Sequence, residues 1–259
     1  MPDPVHVKAA RREGLNKVVA GGALDALSLD LLVLAKGQSF TFSTEGTEAA
    51  SVIMSGDALV GVQGLEYRLK RKSVFLERAS CVCLPIESEA VFTAIEKTEI
   101  AICRSKCGQK GSPFFVSSEM VREKTVGRDN WERKVVDILG ADSPAARLVV
   151  GETFNAPGGW SSFPPHKHDT ATPGVEAKME EIYLFRLDPP EGFGTQTIYG
   201  SQGTHSFKVG DYDAVTIPWG YHPVSAMPGY GLYYLWFLSG EGRALMPNTD
   251  PDYKWLEAK

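Results

Sequence analysis

Pro164-Pro165-His166-Lys167-His168-Asp169 is the stretch on which the reading of this chain turns. After the Pro-Pro turn the backbone is extended. Side chains alternate there with period two, so His166 and His168 share one face of a strand. The chain holds five histidines. Another of them, His222, comes well downstream in Pro218-Trp219-Gly220-Tyr221-His222-Pro223. Between the two motifs the acidic pair Glu180-Glu181 heads the strand-like run Ile182-Tyr183-Leu184-Phe185. One reading gathers three imidazoles and one carboxylate around a metal ion. The other leaves three surface or core histidines that never meet, and a spacing motif alone does not choose between them.

Around this stretch the second half reads as short strands separated by turns. Arg147 to Phe154 is followed by the turn Asn155-Ala156-Pro157-Gly158-Gly159. After the histidine pair comes a loop, Thr170 to Lys178. Strands follow at Glu181 to Leu187, Gly194 to Tyr199, Thr204 to Val209, Ala214 to Pro218 and Leu232 to Leu238. The first half has the same style. Gly37-Gln38-Ser39-Phe40-Thr41-Phe42-Ser43 alternates apolar and polar, as a half-buried strand does. Further strands are read at Ala50 to Met54, Ala58 to Val62, Ser73 to Phe75, Cys81 to Pro85, Ala90 to Ala94 and Glu99 to Cys103. With no helical periodicity between them, these strands imply antiparallel sheets closed into a sandwich or barrel. Residues 1–17 read as a polar arm. Composition shifts at Arg104 to Asp129, a connection with a short helix around Ser117 to Lys124.

Hydrophobic residues make up 43% of the 259 and charged residues 23%, the balance of a globular protein rather than a disordered one. The net charge of -5 leaves no surplus of Lys and Arg for phosphate neutralisation, so no nucleic-acid partner is expected. No apolar run is long enough to span a membrane, and no signal-peptide core follows the N-terminus, so a cytoplasmic protein is expected. Cys81, Cys83, Cys103 and Cys107 fit no familiar zinc spacing and read as free thiols in a reducing compartment. His205 stands in a strand with no motif around it and reads as structural or surface.

Imidazole and carboxylate are the ligands of Zn, Mn, Fe and Ni sites. Glu180 and Glu181 point to opposite faces of a regular strand, so only one can join the histidines. The order of features resembles the cupins: a Pro-led His-x-His, an acidic residue on the next strand, then Gly210-Asp211 and a strand ending in Pro-x-Gly-x-His. The resemblance narrows over residues 126–259. Gly151-Glu152-Thr153-Phe154-Asn155, Trp160 to Asp169, Glu180-Glu181-Ile182-Tyr183, Pro190 to Gln196 and Pro218 to Val224 are similar to the 5-deoxy-glucuronate isomerases of myo-inositol catabolism. That is a two-cupin family related to the 5-keto-4-deoxyuronate isomerases.

The resemblance implies an all-β bicupin, two antiparallel β-barrel (double-stranded β-helix) domains. A metal-free N-terminal barrel with its connecting segment would cover 18–125 and a metal-binding barrel 126–259. It implies His166, His168, Glu181 and His222 as metal ligands, Glu181 because it stands in the family's Glu-x-Tyr. Zinc is the first expectation, with manganese, iron or nickel as alternatives. Thr197 departs from the pattern, which has a basic residue after the glutamine. The implied reaction is the aldose–ketose isomerisation of 5-deoxy-D-glucuronate to 5-dehydro-2-deoxy-D-gluconate, on a small sugar-acid substrate and with room for a homo-oligomer. An Fe(II) cupin dioxygenase and a non-catalytic sugar-acid-binding cupin are the rival readings.

The residue that carries the proton is not identified by sequence. Tyr183, Lys167 and Glu180 are candidates by proximity. A sugar acid needs a cation for its carboxylate, for which Arg186 and Arg243 are candidates. Trp160, Trp219, Tyr221 and Trp236 could line the pocket. Asp169 could orient an imidazole or simply open the loop.

Overall fold

The computed structural model describes residues 1–257. Strands are their dominant regular element, with two short 3-10 turns, and they divide into two compact units. One unit comprises Ala9–Arg122 with Asp137–Val150. The other comprises Met1–Lys8, Glu123–Val136 and Gly151 onward.

The N-terminal unit is built on a 16-residue strand, Thr47–Val62. Its first part pairs with Thr98–Lys106 and Cys81–Leu84, and its second part with Leu65–Arg71 and Glu89–Ala94. The sequence reads as two strands here because Gly56 interrupts it. In the structure Gly56 sits at φ +102° beside a register shift between Ile53 and Ser55, and a Cβ there would lie 2.4 Å from the Lys97 carbonyl oxygen. Only glycine permits that bend. Leu32, Phe42, Ile53, Leu69, Phe92 and Ile102 belong to its buried apolar cluster. Each such side chain contributes about 1.5–3 kcal/mol by leaving water. The four cysteines are free, three of them buried, and burial pushes the Cys81 and Cys103 thiols up. Buried Glu48 accepts the backbone N–H groups of Ala146, Arg147 and Leu148 at 2.6, 2.9 and 2.9 Å, which fastens that segment to this unit.

The C-terminal unit carries strands of a seven-stranded sheet in the order His6–Lys8, Asp213–Ile217, Met179–Asp188, Gly231–Gly240, Val149–Asn155, Arg133–Leu139, Arg122–Val126. The unit boundaries fall inside the last three of these strands. A four-stranded sheet (Trp160–Ser161, Val224–Ala226, Gly194–Gly200, Gly203–Val209) and the pair His166–Lys167 with Asn248–Thr249 complete it. Register sets Glu181 between Ile217 and Leu238, and Tyr183 between Val215 and Trp236. Alternation therefore puts 181, 183 and 185 on one face and 180 and 186 on the other.

Three local expectations change. The segment 1–17 is not a free arm but holds the strands His6–Lys8 and Gly14–Val19. His6 pairs in register with Val215, its ring lies 2.8 Å from Asp213, and Trp219 donates to the Pro2 carbonyl at 3.0 Å. The helix expected around Ser117 to Lys124 is a turn followed by the strand Arg122–Val126, whose exposed residues need no apolar helix face. Ser73 to Phe75 is a turn region rather than a strand: buried Arg71 donates to the Val74 and Glu77 carbonyls and folds the chain back.

Candidate metal centre and cavity

Each residue of the site is placed by a different element. Glu181 comes from the strand Met179–Asp188 and is buried. His166 pairs with Thr249, and His168 follows two residues on, its backbone carbonyl accepting from Met179 N–H at 2.7 Å. His222 leaves the turn at Gly220, which sits at φ +85° with a notional Cβ 2.7 Å from the Tyr199 carbonyl oxygen. No other residue closes that turn without strain, which gives the glycine of Pro-x-Gly-x-His a physical reason.

The side chains converge. His168 Nε2 lies 3.1 Å and His222 Nε2 3.4 Å from the same Glu181 carboxylate oxygen. Ligand atoms of His168, Glu181 and His222 lie within 4.8 Å of one another. The His166 ring is 4.8 Å from the His222 ring and 6.4 Å from that of His168.

Every Nδ1 faces a backbone carbonyl: His166 with Pro164 at 3.3 Å, His168 with Met179 at 3.0 Å, His222 with Gly220 at 2.9 Å. A proton on each Nδ1 satisfies those carbonyls and leaves a lone pair on each Nε2, the arrangement that supports imidazole ligands to a metal. His222 Nε2 is buried with no hydrogen-bond partner. A buried ring nitrogen left without a partner is costly unless something else binds it. The donor set thus fits a divalent cation.

The protonation states of His166 and His222 agree with this, whereas His168 without a metal shares a proton with Glu181. Burial, with the neighbouring His168, pushes His166 down to about 4, and burial holds His222 well below the ordinary histidine value. Both are neutral near pH 7, the form that ligates. Burial also works to lower His168, but the hydrogen bond and charge of Glu181 overcome it and raise its pKa. Burial raises the Glu181 carboxyl against the pull of His168.

The cluster opens on a cavity of about 330 Å³, whose walls include Arg133, Val135, Tyr183, Tyr234, Trp236 and Leu238. Tyr183 places its hydroxyl 3.0 Å from Ser162 Oγ and stacks on Tyr234 at 4.3 Å, and burial raises its pKa far above the ordinary tyrosine value. The other residues singled out by proximity face elsewhere. Lys167 is held by Asp169 and, at 2.9 Å, by buried Glu176. Glu180 lies on the opposite face of its strand from Glu181. Asp169 orients no imidazole; it accepts the Gly220 N–H at 2.7 Å and so steadies the turn that carries His222. Buried Gln196 supports the same turn by donating to the His222 carbonyl at 2.9 Å.

Arg186 and Arg243 do not line the cavity. Arg186 projects from the other face of the Met179–Asp188 strand, binds Asp211 at 2.7 Å and covers the Tyr212 ring. The cations in the cavity wall are Arg133 and Lys124, which sequence reasoning missed. Of the four aromatic candidates Trp236 lines the cavity, while Trp160, Trp219 and Tyr221 do not. Thr197 points away from the site, its hydroxyl 3.3 Å from that of Ser206. His205 packs against Phe207 and Trp219.

The fold is cupin-like. Oxalate decarboxylase of Lactobacillus farciminis, seen in a formate complex, superposes with a TM-score of 0.70 over 98% of this chain and 88% of that one, at 14% identity. At that identity the likeness speaks to fold alone. An IolB-like protein from Salmonella typhimurium LT2 superposes far better, with a TM-score of 0.93 at 30% identity over 97% of this chain and 98% of that one. Residues 7–256 match the KduI/IolB family, and the chain belongs to it. The 5-deoxy-glucuronate isomerase of Geobacillus kaustophilus is 33% identical over 89% of this chain and 85% of its own length. That of Bacillus subtilis strain 168 is 31% identical over 90% and 88%. These relatives place the chain among isomerases.

Proposed function

We propose that the chain is a metal-dependent aldose–ketose isomerase that converts 5-deoxy-D-glucuronate to 5-dehydro-2-deoxy-D-gluconate, as a step of myo-inositol breakdown. His166, His168, Glu181 and His222 would hold the metal, with zinc the first expectation for this donor set. The observation that carries the reading is the set of imidazoles whose Nδ1 atoms are each committed to a carbonyl, with the Nε2 atoms of His168 and His222 approaching one Glu181 oxygen and the His166 ring 4.8 Å from that of His222. The names of the relatives support the substrate.

Isomerisation moves hydrogen between the aldehyde carbon and its neighbour, and charge develops on the two oxygens as it does so. A bound divalent cation supplies Lewis acidity toward that carbonyl and the adjacent hydroxyl. The chain's own contribution is to surround them. Tyr183 keeps its proton; its hydroxyl stands between Ser162 and the Glu181 carboxylate, from where it can turn its O–H toward an oxygen gaining charge in the cavity. Tyr234 and Trp236 form an aromatic wall against which the sugar is held away from water. Asp169 and Gln196 fix the turn of His222 from behind.

Metal analysis paired with turnover of 5-deoxy-glucuronate tests the reading. His166→Ala is expected to stay folded while losing both bound metal and isomerase activity. Full activity in a metal-free His166→Ala protein overturns it.

A further inference from the structure

Arg133 differs from the other arginines that are mostly withdrawn from solvent in lining the cavity. Fully buried Arg71 lies away from it and is held by the Ile53, Val74 and Glu77 carbonyls. Arg104 meets Asp30, and Arg186 meets Asp211. Arg133 meets no carboxylate among the described residues. Its contacts are two backbone carbonyls, Phe163 at 2.8 Å and Trp131 at 3.2 Å, both reached by Nη1. That leaves the rest of the guanidinium fork without a partner. Burial lowers its pKa, the mark of a cation that pays for desolvation with no anion to repay it. Such a charge is costly to keep in a wall unless something anionic arrives.

Its position says what arrives. Arg133 and Val135 share the inward face of the strand Arg133–Leu139 and line the same cavity as His166, His168 and Glu181. Through Phe163 its Nη1 is tied to the turn that leads into His166. The groups around it in the wall, such as Val126, Val135 and Trp236, are apolar or aromatic. A ligand that fills this cavity therefore meets imidazoles and a carboxylate at one place and, elsewhere in the wall, the cations Arg133 and Lys124, of which Arg133 carries the planar fork. A sugar acid has that polarity: hydroxyl and carbonyl oxygens at one end, a carboxylate at the other.

We propose that Arg133 binds the carboxylate of the uronate substrate with the free side of its guanidinium, while Nη1 stays on the Phe163 carbonyl. The inference rests on the sugar-acid reading given above and names the group that recognises the acid. A planar fork matches a carboxylate in two parallel hydrogen bonds, which a lysine ammonium does not.

The test compares binding of D-glucuronate with that of its neutral methyl ester, by calorimetry on the metal-replete protein. Wild-type protein is expected to prefer the acid by on the order of tenfold or more, the usual gain of a hydrogen bond to a charged group. In Arg133→Gln, whose amide can still donate to Phe163, the preference disappears while metal content and melting temperature hold. No preference in the wild-type protein, or an undiminished preference in Arg133→Gln, overturns the proposal. So does an equal loss for acid and ester, which marks a structural role. If Arg133→Gln does not fold, Arg133→Lys decides: it is expected to keep only part of the preference, and a wild-type preference there overturns the proposal. The two readings separate cleanly. Arg133-dependent acid binding without turnover of 5-deoxy-glucuronate sinks the reaction but not the anchor. Turnover with binding blind to the carboxylate sinks the anchor alone.

Discussion

The two units of this chain are built from the same kind of strand and use their interiors in opposite ways. In the N-terminal unit the inward positions are Leu32, Leu34, Phe42, Phe92, Ile100 and Ile102, a sealed apolar cluster. In the C-terminal unit corresponding alternation delivers Glu181 and Tyr183 from one strand and Tyr234 and Trp236 from the next, and a cavity remains. Strand periodicity decides which residues face inward but not what they do there. Apolar side chains that interlock contribute stability. Polar groups facing a cavity cost stability, and each has to be held by hydrogen bonds from behind.

The sharpest way to break this comparison is at Glu181, the one carboxylate both close imidazoles approach. Glu181→Gln keeps the shape and removes the charge. Loss of a supporting hydrogen bond around a metal ligand costs on the order of 10–100-fold in affinity or activity, and loss of a ligand is expected to exceed that. Wild-type protein stripped by a chelator should regain activity when metal is returned, and the variant should not. A variant that retains stoichiometric metal and wild-type turnover contradicts the assignment.

Phe92→Ala applies the converse in the sealed unit. Phe92 is fully buried and meets Phe42 edge-on at 6.4 Å. Truncation is expected to cost about 3–5 kcal/mol in chemical denaturation. Metal content of the folded fraction should not change, because nothing in that cluster ligates. A loss of metal in folded Phe92→Ala protein would show that the two interiors are not independent.

How far could this contrast be read before the structure? The motifs of the proposed ligands are local in sequence, so His166, His168, Glu181 and His222 are visible as residues, and the turn at Gly220 carries its own explanation. Glu180 and Glu181 could be separated because one-residue alternation is a property of any strand. What was invisible depends on register between distant segments. Arg133 stands in Arg-Lys-Val-Val-Asp-Ile-Leu, where nothing local says which charge turns inward. The strand His6–Lys8 is short and polar, and only its partner Asp213–Ile217 makes it a strand. Arg186 looked suited to a sugar acid until Asp211 proved to hold it. A long-range partner settles each of these, and composition does not encode one.

Gly220→Ala probes the support rather than the ligand. The substitution forces a side chain into φ +85° and against the Tyr199 carbonyl oxygen, a strain of order 1–3 kcal/mol. The turn can relax only by moving the Gly220 carbonyl that holds His222 Nδ1, or the N–H that Asp169 accepts. Weaker metal retention with a modest fall in melting temperature is expected, both smaller than for Glu181→Gln. Unchanged metal affinity would mean that the turn does not set the imidazole.

The smallest effect belongs to the outside of the sealed unit and depends on pH. Asp57 is buried, and Arg68 reaches it with Nε at 2.9 Å and Nη2 at 2.7 Å. The Arg68 hydrogen bond, against an opposing contribution from burial, lowers the Asp57 carboxyl below its ordinary value of 3.8. A carboxyl depressed on folding adds stability above its unfolded pKa, and that stability is lost as pH falls through the folded value. The Arg68 side chain is 56% exposed, so solvent screening keeps the effect small. Asp57→Asn is therefore expected to be slightly less stable than wild type at about pH 6, with the gap closing below the ordinary carboxylate range as the wild-type acid takes up its proton. About 1 M salt, where screening acts within a few ångströms, should narrow the gap at the higher pH as well. A gap that survives both acid and salt assigns the contribution to Asp57's hydrogen-bonding shape rather than to its charge.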